Sequence, residues 1–212
     1  MACSRLGFVT GIKREAALIP SSHLVLCSGA NAQAAAQAAR RLADQGCDLL
    51  VSFGLAGGLD PALPAGTLIT PRDIIAPSRE RFVCWSEIDF PNAVTKPLAG
   101  SDVLLSSPDD KALLMARSGA VAVDMESHTV AYVARERGLP FLVLRAVADT
   151  ADMTLPAFIA KSTAPDGSTR LGPILMGLLK SPKSLPELLA LAKASDLAFA
   201  ALRSALPILL KK

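Results

Sequence analysis

Apolar positions along the chain fall into short continuous runs separated by polar, helix-forming stretches. Leu6–Thr10 is an apolar run that closes on Gly11, and His23–Cys27 is a second that closes on Ser28-Gly29-Ala30-Asn31. Asp48–Phe53 (DLLVSF) is a third, and it leads into Gly54-Leu55-Ala56-Gly57-Gly58. Runs of this length predict strands buried on both faces. Between the second and third lies AQAAAQAARRLADQ, built almost wholly of strong helix formers and stopped by Gly46. Leu68–Ile75 predicts a further strand, after a turn at PALPAG. Arg79–Pro97 holds Phe82, Phe90 and the single Trp, Trp85, without periodicity, and reads as a loop lining a pocket or an interface. Gly100–Ser106 starts polar and turns apolar at Val103-Leu104-Leu105. A well-marked helix follows, with Ser107 as N-cap, Pro108 at the first position and Asp109 and Asp110 in the first turn.

The stretch Ala122–Asp152 organises the rest. Asp124 and Glu126 open a helical pattern carried by Val130, Val133 and Ala134, with Arg135 and Arg137 in its last turn. Gly138 and Pro140 end that helix. Phe141–Val147 is then a run of strand length, apolar but for Arg145, with Asp149 and Asp152 beyond it. Carboxylates thus arrive at the ends of core elements, where ligands of open α/β sheets bind. The alternation of strands and helices predicts an α/β fold: three layers, with a largely parallel mixed central sheet flanked by helices. The expected organisation is a single domain over 1–212, with an apolar helical C-terminal part from about residue 171. There Ile174–Leu179 and Leu185–Leu210 are rich in Leu and Ala at helix spacing, with a stripe at Leu185, Leu188, Leu189, Ala192, Asp196, Phe199 and Leu202. That stripe fits a core or subunit-interface helix. It also fits an apolar wall or membrane-facing ramp ending in Lys211-Lys212.

Composition narrows the function classes. A net charge of +3, no Lys/Arg block of five and 4% aromatics speak against nucleic acid as a partner. Cys3, Cys27, Cys47 and Cys84 form no CxxC pair, and with only His23 and His128 a zinc site is not expected. Reduced thiols suit a cytoplasmic protein. MACSRLGFVTG does not read as a signal peptide, and no apolar run reaches the ~18 residues that span a bilayer. The mean hydropathy is nevertheless high, at +0.39. The glycines after Phe53 match neither GxGxxG nor a phosphate-loop GK[ST], so dinucleotide and P-loop sites are poor fits. The strand-to-helix junction GIKREAAL sets Lys13, Arg14 and Glu15 where backbone N–H groups favour an anion.

Taken in order, GIKREAAL, SGANAQAAAQAARRL, DLLVSFGLAGGL, PAGTLITPRDII, VDMES and RAVADTAD resemble the nucleoside phosphorylase/nucleosidase superfamily, which includes the methylthioadenosine/adenosylhomocysteine nucleosidases. VDMES, followed by a strand and RAVADTAD, is the specific part. The wording is most similar to the hopanoid-associated branch, which acts on adenosylhopane. The resemblance implies a nucleoside phosphorylase-like fold and cleavage of a purine N-glycosidic bond with release of adenine. It implies Asp149 as the acid at the purine N7 and Glu126 on the ribose hydroxyls, with Met125, Leu104, Leu105 and Gly57 also in the substrate site. It implies Glu15 as the carboxylate that activates water in the hydrolytic branch, and Arg14 with Arg145 as ligands of inorganic phosphate in the phosphorolytic one. Leu55 stands where many relatives carry a hydroxyl. The expectation leans to phosphorolysis through Arg14. It further includes no cofactor, a homo-oligomer (a dimer first), a lipid-linked nucleoside and transient contact with a membrane surface. A methylthioadenosine-type nucleosidase and a non-catalytic nucleoside-binding protein are the alternatives. His128 reads as a packed or capping residue.

Overall fold

The computed structural model describes residues 5–211. Cys3, the first residues of MACSRLGFVTG and Lys212 lie outside them. At its centre runs β3 (Leu49–Gly58), flanked in parallel by β1 (Leu6–Thr10) and β9 (Phe141–Asp149). Beyond β1 lies β2 (Leu24–Cys27), also parallel. The end of β3 pairs antiparallel with β8 (Ala122–Asp124), which continues through β7 (Leu98–Gly100) and β5 (Asp73–Ile75) in parallel to the antiparallel edge strand β6 (Arg81–Val83). The short β4 (Leu68–Ile69) pairs antiparallel with β9. The expected mixed, largely parallel sheet is present.

Helices cover both faces because the strands are apolar on both. On one face α2 (Ala32–Asp44) packs through Ala35, Ala38, Ala39 and Leu42, small residues that bring its backbone close, beside α4 (Ser127–Arg137) with Val130, Val133 and Ala134. On the other face α6 (Leu185–Leu210) buries Ala198, Leu202, Ala205, Leu206 and Leu209 against Val51, Phe53, Leu142 and Leu144. Each fully buried Leu or Phe of this kind contributes roughly 1.5–3 kcal/mol. The caps follow the sequence signals: Asn31 accepts from Ala34 N at 2.9 Å to start α2, and Ser107 accepts from Asp110 N at 3.1 Å to start α3 (Pro108–Ser118). Two short helices complete the chain, α1 (Lys13–Ala16) and α5 (Leu171–Lys180).

Four expectations are revised. Gly54–Gly58 is strand rather than loop, since it continues the β3 ladder on β9 and β8. Leu68–Ile75 is split into β4 and β5 around Pro71, which cannot donate to a ladder. Ala122–Asp124 is a strand, so Asp124 ends β8 and helix α4 begins only at Ser127. In the apolar stripe of α6, Phe199 and Leu202 are core, whereas Leu185, Leu189 and Asp196 are exposed. No helix among the described residues is long and apolar enough to cross a membrane.

Candidate active site

The carboxyl ends of β1, β3, β8 and β9 open into a cavity of about 240 Å³. This is where ligands of open α/β sheets sit. One wall is apolar, formed by Val103, Leu104, Leu105, Leu155, Ile159 and Leu191, with α6 thereby reaching the cavity. The opposite wall carries four carboxylates, Glu15, Asp124, Glu126 and Asp149, against the guanidinium of Arg145.

Glu15 enters from α1 and is 3% exposed. Its Oε2 accepts from Gly11 N at 2.7 Å and Ile12 N at 2.9 Å, and its Oε1 accepts from Leu55 N at 2.8 Å. The amides expected to greet an anionic ligand are therefore taken by the chain's own carboxylate. A carboxylate has about four lone-pair sites. Three are filled here, which leaves one on Oε1 for a water. Burial raises the Glu15 pKa, opposed by Arg145 and the three amides. Gly54 makes this placement possible: a Cβ there would lie 2.4 Å from the Glu15 carboxyl carbon. Gly54→Ala is accordingly expected to lower turnover about as far as Glu15→Gln, with comparable loss on every substrate tested. Matched kcat values for the two variants, beside native-like circular dichroism, check this.

Arg145 is 1% exposed in the middle of β9. Its Nη2 lies 2.7 Å from Asp124 Oδ2, 3.1 Å from Glu126 Oε2 and 2.6 Å from Ser52 Oγ, and its Nη1 donates to Leu55 O at 3.2 Å. Ser127 N donates to Asp124 at 3.2 Å, and Ser127 Oγ bonds Asp124 and Ser52, which ties the network to α4. Burial opposes the charge of Arg145, but Asp124, Glu126 and Glu15 together hold its pKa above the usual value. Glu126, 4% exposed and just before α4, is pushed up to about 7 by burial, with Asp124 and Glu15 adding to the rise and Arg145 opposing it.

Asp149 ends β9, where the pairing with β3 shifts register between Ala56 and Gly57. Such a bulge bends the strand and re-aims side chains. A Cβ on Gly57 would sit 3.1 Å from Asp149 Oδ2, so that glycine too makes room for a carboxylate. Lys111 of α3, wholly buried, places its Nζ 2.7 Å from Asp149 Oδ2 and donates to Thr150 O at 2.6 Å and Met153 O at 3.1 Å. Burial raises the Asp149 pKa and the Lys111 ammonium opposes the rise.

The structure brings Glu15, Met125, Glu126, Asp149, Gly57, Leu104, Leu105 and Arg145 to one cavity. It does not bring Arg14. That side chain points outward, 59% exposed, pairs with Asp196 of α6 at 2.6 Å and lies 4.0 Å over the Phe199 ring. Adjacent residues on a short helix face different ways, and Glu15 takes the inner position. Arg145 lines the cavity, but with its charge already met by two acids. The Arg79–Pro97 segment lines none of this cavity. His128 packs away from it, with Nε2 3.2 Å from Asp102 Oδ1. Sequence reasoning missed Lys111, Ser52 and Ser127. Of these only Ser127 carried a signal, three residues beyond Asp124 at a helix start.

The family model described as the phosphorylase superfamily matches residues 20–84 and 85–180. The chain belongs to this superfamily. The matched part holds Glu126 and Asp149 and begins after Glu15. Among superfamily members, the aminodeoxyfutalosine nucleosidase of Helicobacter pylori is 38% identical over 69 residues, a match that spans 31% of this chain and 30% of that relative's length. The fold is shared with the 5′-methylthioadenosine/S-adenosylhomocysteine nucleosidase of Helicobacter pylori bound to butyl-thio-DADMe-Immucillin-A (TM-score 0.66, 17% identity, 98% of this chain and 99% of that one). It is likewise shared with the futalosine hydrolase of Helicobacter pylori (TM-score 0.65, 16% identity, 96% of this chain and 97% of that one).

Proposed function

We propose that this member of the superfamily hydrolyses the N-glycosidic bond of a purine nucleoside, releasing the base. The observation that carries the reading is Glu15, anchored by three backbone amides in a cavity it shares with Glu126 and Asp149. Cleaving the bond leaves positive charge on the ribose and negative charge on the base. Preorganised carboxylates beside the sugar favour such a transition state. Glu126 holds the ribose hydroxyls, with Met125 against the sugar. Asp149 donates a proton to the departing purine, and burial raises its pKa in the direction that role needs. Glu15 takes the proton of the attacking water through its remaining lone pair.

Water is favoured over phosphate on electrostatic grounds. A phosphate dianion at the sugar would meet Glu15 where amide donors are needed, and would find Arg145 already held by Asp124 and Glu126. At an effective dielectric near 20, two unit charges 4 Å apart interact by about 4 kcal/mol, so each carboxylate repels the anion appreciably. Base release is therefore expected to proceed at the same rate with and without inorganic phosphate, giving free ribosyl product. Arg14→Ala is expected to change kcat/KM less than about threefold, since an exposed pair is worth about 0–1 kcal/mol. Formation of a ribose 1-phosphate ester, read by product analysis in phosphate buffer, would restore the phosphorolytic alternative.

The apolar wall of Val103, Leu104, Leu105, Leu155, Ile159 and Leu191 supports an apolar 5′ substituent. Exposed Leu171, Leu175, Met176, Leu179, Leu185 and Leu189, among Arg170, Lys180, Lys183 and Lys193, extend that character over the surface of α5 and the start of α6. In its most specific form the reading is a lipid-linked adenosine, adenosylhopane, reached from a membrane surface that attracts the basic residues. The second form is a methylthioadenosine-type substrate. A series of adenosines of increasing 5′ alkyl length, compared by kcat/KM, separates the two: a steady rise supports the lipid, and an optimum at a short thioether supports the other.

A further inference from the structure

Lys111 of α3 reaches inward to pair with Asp149. The first turn of that helix carries Asp109 and Asp110, and its outer face exposes Leu113 and Arg117. Lys111 nonetheless turns inward, is fully buried, and spends its donors on Thr150 O, Met153 O and Asp149 Oδ2. The two carbonyls belong to the turn that follows Asp149, so the ammonium is fixed from the same segment as the carboxylate it grips. An unpaired lysine this deep would be costly, and a buried pair persists only where its remaining donors are satisfied. Here they are.

We propose that Lys111 is a positioning residue for the departing base: its ammonium holds one oxygen of Asp149, leaves the other for the purine, and supplies the charge that lets this carboxyl release its proton. The inference rests on the nucleosidase reading. Among the described residues Asp149 Oδ1 has no hydrogen-bond partner, and Asp149 lines the cavity. When the C1′–N9 bond breaks, its electron pair goes to the base. The purine N7 takes the proton from Asp149, which becomes a carboxylate against the Lys111 ammonium. Water supplies the oxygen to C1′ and gives its proton to Glu15, and solvent returns a proton from Glu15 to Asp149. Lys111 stays protonated throughout. Burial raises the Asp149 pKa and the Lys111 ammonium opposes that rise, which favours release of the proton to the base.

Other charged groups bear on Asp149 less. β3 presents Gly57 to it and β8 presents Val123. Glu126 and Arg145 line the same cavity but are engaged with one another. Asp152, in the following turn, is exposed and bonds Thr150.

The test compares Lys111→Met, Lys111→Gln and Lys111→Arg in the full chain. Gln keeps a hydrogen-bond donor and guards against loss of fold, which circular dichroism reads for each variant. An opposite charge within ~4–6 Å lowers an Asp pKa by about 1–3 units. Removing it is expected to move the alkaline limb of the kcat/KM profile upward by about 1–3 pH units and to lower the plateau about 10-fold or more. Arg is expected to hold the limb at the parent position. With a 4-nitrophenyl riboside, whose leaving group departs without a proton, the neutral variants are expected to match the parent. A lower plateau with an unmoved limb, or equal losses on both substrates, overturns the role of Lys111 while the parent's activity stands. A parent that releases no base from any purine nucleoside overturns the functional reading and this inference together.

Discussion

Asp149→Asn is expected to lower kcat on purine nucleosides about 10²–10⁴-fold, the usual contribution of a positioned general acid, with nucleoside binding within a few-fold of the parent. The amide keeps the shape, and its oxygen can still accept from Lys111, but it carries no proton of comparable acidity to give. The loss is expected to shrink on the nitrophenyl riboside, because that leaving group needs no protonation. Single-turnover rates beside equilibrium binding separate the chemical step from affinity. Turnover within a few-fold of the parent on adenosine substrates would remove Asp149 from the acid role.

The second large effect is expected at Glu126. In the proposed function its charge serves the bound ribose and the cationic transition state together, so Glu126→Gln is expected to raise KM and to reduce kcat by about 10²–10³-fold, the scale of a lost preorganised electrostatic contact. Equal activity of the parent on ribosides and 2′-deoxyribosides would sink the ribose assignment. Stability should move the other way. Burial, first, and then the neighbouring Asp124 and Glu15 outweigh Arg145 and push the carboxyl up from 4.5 to about 7. A carboxyl raised in this way gives the fold most at low pH, where it is protonated in both states, and withdraws that stability as pH climbs through the window from 4.5 to about 7. Gln does not titrate. The Tm of the variant minus that of the parent is therefore expected to rise with pH across this window and to level off above it. A difference that stays flat or falls shows that Arg145 keeps Glu126 ionised throughout.

The strands and helices were legible where burial on both faces left an unbroken apolar run, as in Leu6–Thr10, or where a cap marked a start, as at Ser107. Asp149 and Glu126 were legible because they end or begin such elements within motifs that resemble a family. The rest depended on relations that periodicity does not carry. Lys111 reads as one more solvated lysine, and its carboxylate partner lies 38 positions away along the chain, brought near only by tertiary packing. Arg14 and Glu15 are neighbours on a helix of four residues, too short for any apolar face to show which one turns inward. The glycines of Gly54–Gly58 invite the idea of an approaching ligand. What approaches Gly54 and Gly57 is a carboxylate of the same chain, from Glu15 and Asp149. The stripe on α6 reads as apolar along its whole length, yet only its second half meets the sheet.

The three amides around Glu15 also have a meaning for exchange with solution. They form an anion receptor whose ligand is covalently attached, and a tethered ligand competes at an effective concentration of millimolar or more, without dilution. Phosphate, sulfate or a carboxylic buffer must displace it from a wall that already bears three further acids, Asp124, Glu126 and Asp149. Under the proposed hydrolytic function, base release is therefore expected to be insensitive to added phosphate, sulfate or carboxylic buffer.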